Sequence, residues 1–433
     1  MNKKNKKTPG EIIESYEPAL PTKTAAFAMR RLIGAATFGS GVKYEYLFDK
    51  KGMKGRQVLI LADHASTDSY LYVLRGYPFV EPNVVIGYQN IFIRGIFGLF
   101  LKCGIIPKKL YEPDLRPVIS MLRIVRAGGS LLLFPEGIQS MDGSTQPINP
   151  ATAEFVKRCG IDVVLCKSHG AYLNHPRFDP VGRKGRLRFT YELLFTADEL
   201  KELDAADIGR CLTDRFRYND FAENRRIGSV YRGRHKNAYG LEKILFICPF
   251  CKKRFSLKVE KDRVVCECGA GVRVGTDYSL IPDDGLKLPF EGLDGWFAYE
   301  RDQVRKDVSE PGFALSYPAR LCRLNTSGRG GEVTLTGEGR VTLKRGSFLF
   351  EGTENGAPVS YDMRTDRIPS APFVSGRGNE FFYKGEYFRF IPKDRPGLPV
   401  YCLLAVEELH DLDDPKWRLA RADASGETPA DPA

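Results

Sequence analysis

The chain has 433 residues, 42% of them hydrophobic and 27% charged, which is enough apolar content for a packed core and too much length for one typical domain. Its formal net charge of +11 points to an anionic partner, whether nucleic acid, an anionic lipid surface or an acidic cofactor, and composition does not choose among them. No stretch reaches the ~18 uncharged apolar residues of a spanning helix, and no apolar run ends in a small-residue cleavage site, so an uncleaved chain with no membrane-spanning helix is expected.

Lys3, Lys4, Lys6 and Lys7 read as a solvated tail. Residues 25–48 and 91–106 are apolar with a few embedded bases, as expected either of elements lying in a membrane interface or of buried helices. From Arg56 to about Phe195, short apolar runs alternate with helical stretches. QVLILA (57–62), NVVIGY (83–88), SLLLF (130–134) and IDVVLC (161–166) read as strands covered on both faces. Residues 114–129 have helical spacing and stop at a glycine pair, and 149–160 start at an Asn149 cap with Pro150 in the first turn. The result is a layered α/β domain with a mostly parallel sheet. A further strand (185–195) and a polar amphipathic helix (197–218) follow, then a basic, glycine-containing stretch at Arg225–His235.

Residues 246–273 hold four cysteines, and 285–309 include an amphipathic helix. From about Phe313 to Leu404 the texture changes to short alternating strands, with 400–412 as a closing helix. Strands followed by one helix suit a pleckstrin-homology-like barrel, by analogy of pattern. The expected division is an N-terminal amphipathic segment (1–50), an α/β domain (51–240), a cysteine module (241–280), a small β domain with flanking helices (281–412) and a polar tail (413–433).

The strand QVLILA ends at ADHASTDSYLYVL (62–74). A histidine at a strand's carboxyl end is well placed for catalysis, because sites in open α/β sheets gather at that edge. A helix entered there would hold His64 neutral and put Asp68, at i+4, on the same face. Asp68 could then fix the imidazole tautomer while His64 deprotonates a substrate hydroxyl directly. LLLFPEGIQS (131–140) repeats the arrangement of a strand ending in a polar turn.

In these blocks the chain resembles the lysophosphatidic acid and glycerol-phosphate acyltransferase family. A histidine–aspartate motif, a glycine-hydrophobic-basic block (LKCGIIPKKLY, 101–111), FPEG and a late apolar strand occur here in that family's order, over roughly residues 50–190. The resemblance implies that His64 is the general base attacking through an acceptor hydroxyl on an acyl thioester, with Asp68 orienting it. It implies an acceptor pocket shaped by Ser66, Phe134, Pro135, Glu136 and Gly137, with Lys108 or Lys109 against a phosphate. Acyl-CoA or acyl-ACP would be the co-substrate, and membrane lipids the partner. This sequence departs from the pattern in three places. Three residues, not four, separate His64 from Asp68, so strict counting puts Ser69 in the aspartate slot. Asp63 stands for the usual asparagine, and Ile138-Gln139-Ser140 replaces Thr-Arg-Ser, removing a planar phosphate fork.

Four of ten cysteines, Cys248, Cys251, Cys266 and Cys268, form Cys-x-x-Cys, fourteen residues, Cys-x-Cys, which can place four thiolates around a structural Zn2+. The other six are scattered, the usage of a reducing compartment. His169 and His175, on the late strand and its exit, read as surface or site-lining residues. The whole suggests a cytoplasmic enzyme, peripheral on the inner membrane face, with no nucleic acid expected. A non-catalytic lipid-binding adaptor and a zinc-ribbon nucleic-acid-binding protein are the alternatives.

Overall fold

The computed structural model describes residues 7–327 and 331–425, so Lys3, Lys4 and Lys6 and residues 426–433 of the expected tail lie outside the described residues. The apolar runs form strands where the pattern places them: β2 (Val58–Ala62), β3 (Asn83–Gly87), β5 (Leu131–Leu133) and β6 (Asp162–His169). With β1 (Lys43–Tyr46), β4 (Ile106–Lys108) and β8 (Arg188–Phe195) they build a seven-stranded sheet in the order β1-β8-β6-β2-β5-β3-β4. Every neighbouring pair is parallel except β6 with β8. Strand β2 is wholly buried, and its alternate residues feed two cores: Val58, Ile60 and Ala62 on one face, Leu59 and Leu61 on the other.

Helix boundaries follow local chemistry. The helix Arg116–Arg126 stops before Gly128, whose φ of 83° only glycine adopts freely. The single helix expected over 197–218 is instead two, Glu199–Glu202 and Ala205–Phe216. Leu203 is extended, and the Asp204 side chain caps the second helix by accepting the Asp207 amide.

A short pair, β7 (Arg183–Lys184) with β9 (Arg232–Gly233), lies beside the main sheet. The cysteine segment forms a four-stranded antiparallel sheet, β10 (Leu257–Glu260), β11 (Arg263–Cys266), β12 (Gly271–Val274) and β13 (Leu280–Pro282). A second seven-stranded sheet is antiparallel throughout, in the order β17-β16-β15-β14-β20-β19-β18, its strands running from β14 (Ala314–Asn325) through β15 (Glu332–Lys344), β16 (Ser347–Glu354), β17 (Ala357–Met363), β18 (Phe373–Val374) and β19 (Gly378–Tyr383) to β20 (Glu386–Pro392). The expected closing helix is Leu398–Asp413, and it is buried almost along its length. Where a polar tail was expected to begin, the helix Pro415–Ser425 folds back instead, because Arg421 pairs with Glu407 at 3.1 Å and with Asp411 at 2.7 Å.

The three units share one core. A single apolar cluster contains Ile60 of the first sheet, Val264 and Val272 of the cysteine module, and Phe348 and Leu404 of the last unit. Buried Glu300, on the helix Gly292–Ser309, accepts the amides of Phe246 and Ile247, both at 2.6 Å, and Trp296 donates to the Ile247 carbonyl at 3.0 Å. These bonds seat the cysteine module against that helix. Truncating Leu404, fully buried at the middle of this core, removes packing on several elements at once. Leu404→Ala is expected to cost about 2–5 kcal/mol. Because the core is continuous, urea melts followed by far-ultraviolet dichroism should show one transition moved to lower urea, rather than early loss of one unit.

Candidate functional site

The parallel strands β2, β5 and β6 all end at one edge, and their three exit loops make the site. His64 follows β2. Its backbone N–H donates to Glu136 Oε1 at 2.7 Å, and its carbonyl accepts the Ser140 amide at 2.9 Å. Its ring lies 4.6 Å, centroid to centroid, from the ring of Phe134. Glu136 also accepts the Gln146 amide through Oε2 at 2.6 Å, so one buried carboxylate ties the β2 exit to both ends of the β5 exit loop. Gly137 turns that loop with φ 72° and donates its amide to the Phe134 carbonyl at 3.0 Å, while the Pro135 carbonyl accepts the Asn149 amide at 3.2 Å. Asp63 does the equivalent work on the other side, accepting the backbone amide of Ser168 at 2.8 Å and its hydroxyl. Burial pushes Asp63 up to about 6, and burial together with the Asp63 charge pushes Glu136 up to about 8.

His64 and Asp68 do not form the expected pair. The helix begins only at Ser69, with Asp68 at its cap position, so residues 64–68 are a turn and the one-face argument from helical spacing does not apply. Asp68 Oδ1 instead meets His175 Nδ1 at 3.3 Å and accepts the Ser66 hydroxyl at 2.7 Å. Ser66 is buried, its Oγ also 2.9 Å from Ser69 Oγ. His64 Nδ1 is buried with no hydrogen-bond partner. The neutral state expected of His64 holds, for a different reason: burial first, then the Arg177 charge, lower its pKa to about 4, against a small opposing effect of the Ser66 backbone. The His175 imidazole goes the other way, raised by its bond to Asp68 against burial. Burial raises Asp68, but the bond to His175, its charge and the Ser66 hydroxyl bring the carboxyl below its ordinary value.

Arg177 was not anticipated, and neither was the part played by His175. Arg177 donates to the Gln139 carbonyl at 2.9 Å and to the Phe373 carbonyl, and sits 4.6 Å over the Phe373 ring, so it joins the Phe134–Ser140 loop to the last unit. The available signal was the run His175-Pro176-Arg177 just past a strand end, which reads as ordinary loop. Thr67 donates to Gln139 Oε1 at 3.0 Å, closing the ring of loops. The two lysines are elsewhere on the edge. Lys108 ends β4, two strands out from β5, and donates to the Glu112 carbonyl at 3.3 Å, and Lys109 is held by Glu14 at 3.2 Å and lies over the Tyr88 ring. A shallow apolar cleft, open to solvent, runs between the helices Lys23–Ala36 and Ser69–Gly76, lined by Ala26, Met29, Ile33, Tyr70, Leu74 and Ile105 among others. Tyr70 brings its inner end within two residues of Asp68, whose charge helps raise the phenol.

The sulfurs of Cys248, Cys251, Cys266 and Cys268 lie within 4.8 Å of one another and could hold a metal ion. Cys248 to Cys268 is 3.9 Å and Cys251 to Cys266 is 3.7 Å. Backbone amides of Phe250, Cys251, Cys268 and Ala270 are directed at these sulfurs, as they are where thiolate charge must be offset.

No family model matches the chain, and no curated protein does. Among solved structures, the 1-acyl-sn-glycerophosphate (LPA) acyltransferase PlsC from Thermotoga maritima is similar over 45% of this chain and 81% of that one, with a TM-score of 0.35 and 14% identity. A likeness of that size carries no argument about residues.

The Asp68–His175 contact makes a direct prediction. Its stabilisation is complete between the unfolded pKa values of aspartate, about 3.9, and histidine, about 6.5; it is lost as pH rises through the raised value of His175 and as pH falls through the lowered value of Asp68. Asp68→Asn should lower the His175 pKa in an imidazole NMR titration and leave His64 where it is.

Proposed function

We propose that the chain is an O-acyltransferase that moves a fatty acyl group from an acyl thioester, acyl-CoA or acyl-ACP, to a hydroxyl of a lysophospholipid or glycerol-phosphate acceptor. The observation that carries this reading is the position of His64. A neutral imidazole stands at the carboxyl edge of a parallel sheet, against Phe134 and bonded through its backbone to Glu136. His64 Nε2 takes the acceptor proton as the hydroxyl oxygen bonds to the thioester carbon, the carbon–sulfur bond breaks, and the thiolate leaves. General-base action of this kind gives ~100- to 10,000-fold, and placing the two substrates accounts for the rest. The low pKa of His64 makes it a weak base, so the reading requires substrate to replace the water around the ring and change its surroundings. Asp68 acts through its contacts with His175 and Ser66 rather than on His64 itself.

One observation favours a second reading. Asp68 is occupied by His175 and the buried Nδ1 of His64 has no orienting partner, which is the arrangement of a non-catalytic lipid-binding adaptor that keeps the fold. Incubating the pure protein with labelled acyl thioester and a panel of lysolipids separates the two. Turnover that falls at least 100-fold in His64→Ala supports the enzyme. Absence of turnover with every acceptor, alongside retained lipid binding, supports the adaptor.

For the four cysteines we propose Zn2+. A tetrahedral site with Zn–S of about 2.3 Å has sulfur–sulfur edges of about 3.8 Å; here two pairs stand at 3.7 and 3.9 Å and all four sulfurs lie within 4.8 Å of one another. Four protein ligands leave no open position, so the ion's role is structural. The antiparallel unit closed by Leu398–Asp413 suits a pleckstrin-homology-like domain, and the whole suits a cytoplasmic protein peripheral on the inner face of a membrane. Elemental analysis should find one zinc per chain, and Cys251→Ser should lose it together with thermal stability, while a chelator lowers the melting temperature of the unmodified protein.

A further inference from the structure

The basic stretch around Arg225–His235 has no part in the chemistry above, yet the fold brings it to the rim of the same edge. Strand β9 pairs antiparallel with β7, with Lys184 directly opposite Arg232 and Arg183 opposite Gly233. Arg183 turns inward to Asp179 at 3.0 Å, and His235 takes the other oxygen of that carboxylate at 2.9 Å. Lys184 and Arg232 therefore stand outward side by side, where like charges directly across a strand pair repel. Arg186, Arg234 and Lys236 are exposed around them, and no carboxylate pairs with any of the five among the described residues. Five bases crowded without a counter-ion are stable only at a cost, and the cost disappears against an anionic surface.

Apolar side chains are exposed near these bases. Ile227 and Val230, in the segment leading into β9, are 39% and 40% exposed. The antiparallel β8 starts at Arg188 opposite His169, and Lys43 of β1 pairs with Arg188, so the turn before β1 leaves the sheet at the same edge. That turn carries Phe38, 87% exposed, and follows a helix that exposes Phe27 at 62% and Leu32 at 48%. Gly182 lies against His175, where an added methyl carbon would be 4.0 Å from the ring, and the Gly185 amide bonds to Asn174 at 2.9 Å. The basic pair is thus the wall next to the His175 side of the site.

We propose that this rim, Lys184, Arg186, Arg232, Arg234 and Lys236 with Phe38, Ile227 and Val230 as apolar tips, docks the chain on an anionic lipid bilayer with the site's edge facing it. Bases that meet headgroup phosphates beside side chains that enter the acyl boundary are what such a surface requires. A nucleic acid would meet the same charges, but it has no use for isolated aliphatic tips and offers no reason for them to share an edge with the site. The preference for a bilayer rests in part on the acyltransferase reading, and the test separates the two.

Sedimentation with phosphatidylcholine vesicles, with and without one-third phosphatidylglycerol, is the measurement. Binding should need the anionic lipid and weaken with salt. Each base near the surface contributes about fivefold, so the triple variant Lys184→Gln, Arg232→Gln, Arg234→Gln should bind roughly 100-fold more weakly. Phe38→Ser should weaken binding while keeping the salt dependence. All four side chains are exposed, so melting temperatures should not move. Equal binding to neutral and anionic vesicles, an unaffected triple variant, or tighter retention of an oligonucleotide than of vesicles would overturn the proposal. Acyl transfer to a short-chain acceptor dispersed in detergent should survive the triple variant and not His64→Ala. Vesicle binding that depends on the bases upholds the surface even if no acceptor turns over, and turnover without such binding removes the surface and leaves the enzyme.

Discussion

The arrangement at the sheet edge depends on one buried carboxylate accepting two backbone amides. Glu136 receives His64 N–H and Gln146 N–H, and each donor would otherwise be an unpaired polar group where water is scarce. Through those bonds the exit of β2 and the turn after β5 become one object, and the tilted packing of His64 on Phe134 follows from it. The cost is an acid held in a place that resists ionisation, close to a second such acid in Asp63. Glu136 spends both oxygens on backbone amides, and Asp63 spends its own on the amide and hydroxyl of Ser168. Their role is to hold the loops that carry the reactive ring.

The second determinant is the pressure of the remaining units on that edge. Arg177 reaches from the β6 exit to Gln139 and to Phe373, so the antiparallel unit touches the loop that contains the FPEG sequence. Its charge also helps hold His64 neutral. Asp68 is turned toward His175 rather than His64, and the two imidazoles are displaced in opposite directions, one by burial and a cation, the other by a carboxylate. The cysteine module is seated by Glu300 and Trp296 in the common core, which makes it part of the scaffold rather than an appendage.

Much of this was legible in the sequence. Continuous apolar runs such as QVLILA, short and bounded by polar residues, suit strands buried on both faces, and the cysteine spacing announces a four-thiolate cluster because two tight turns can bring paired sulfurs together. The position of His64 at a strand end was likewise readable. The His64–Asp68 pair was not, since whether position 64 is helical turns on where the helix starts, and Asp68 rather than an earlier residue takes the cap. The contacts of His175 and Arg177 were invisible, because they join loops more than a hundred residues apart in one case and nearly two hundred in the other. The backfolded helix Pro415–Ser425 was missed because its composition is that of a tail, and long-range contacts such as the pairing of Arg421 with Glu407 and Asp411 fix it.

The central claim is that the His64 imidazole beside the FPEG turn is the place where an acyl thioester and a hydroxyl meet. Nitrogen-15 spectra of the histidines during titration with a thioether analogue of a long-chain acyl-CoA address it without requiring turnover. The account predicts that the His64 ring signals and those of Phe134 shift together and saturably, while amides of the cysteine module stay in place. An analogue that binds and leaves His64 untouched, or that moves only residues remote from the ends of β2 and β5, would contradict it.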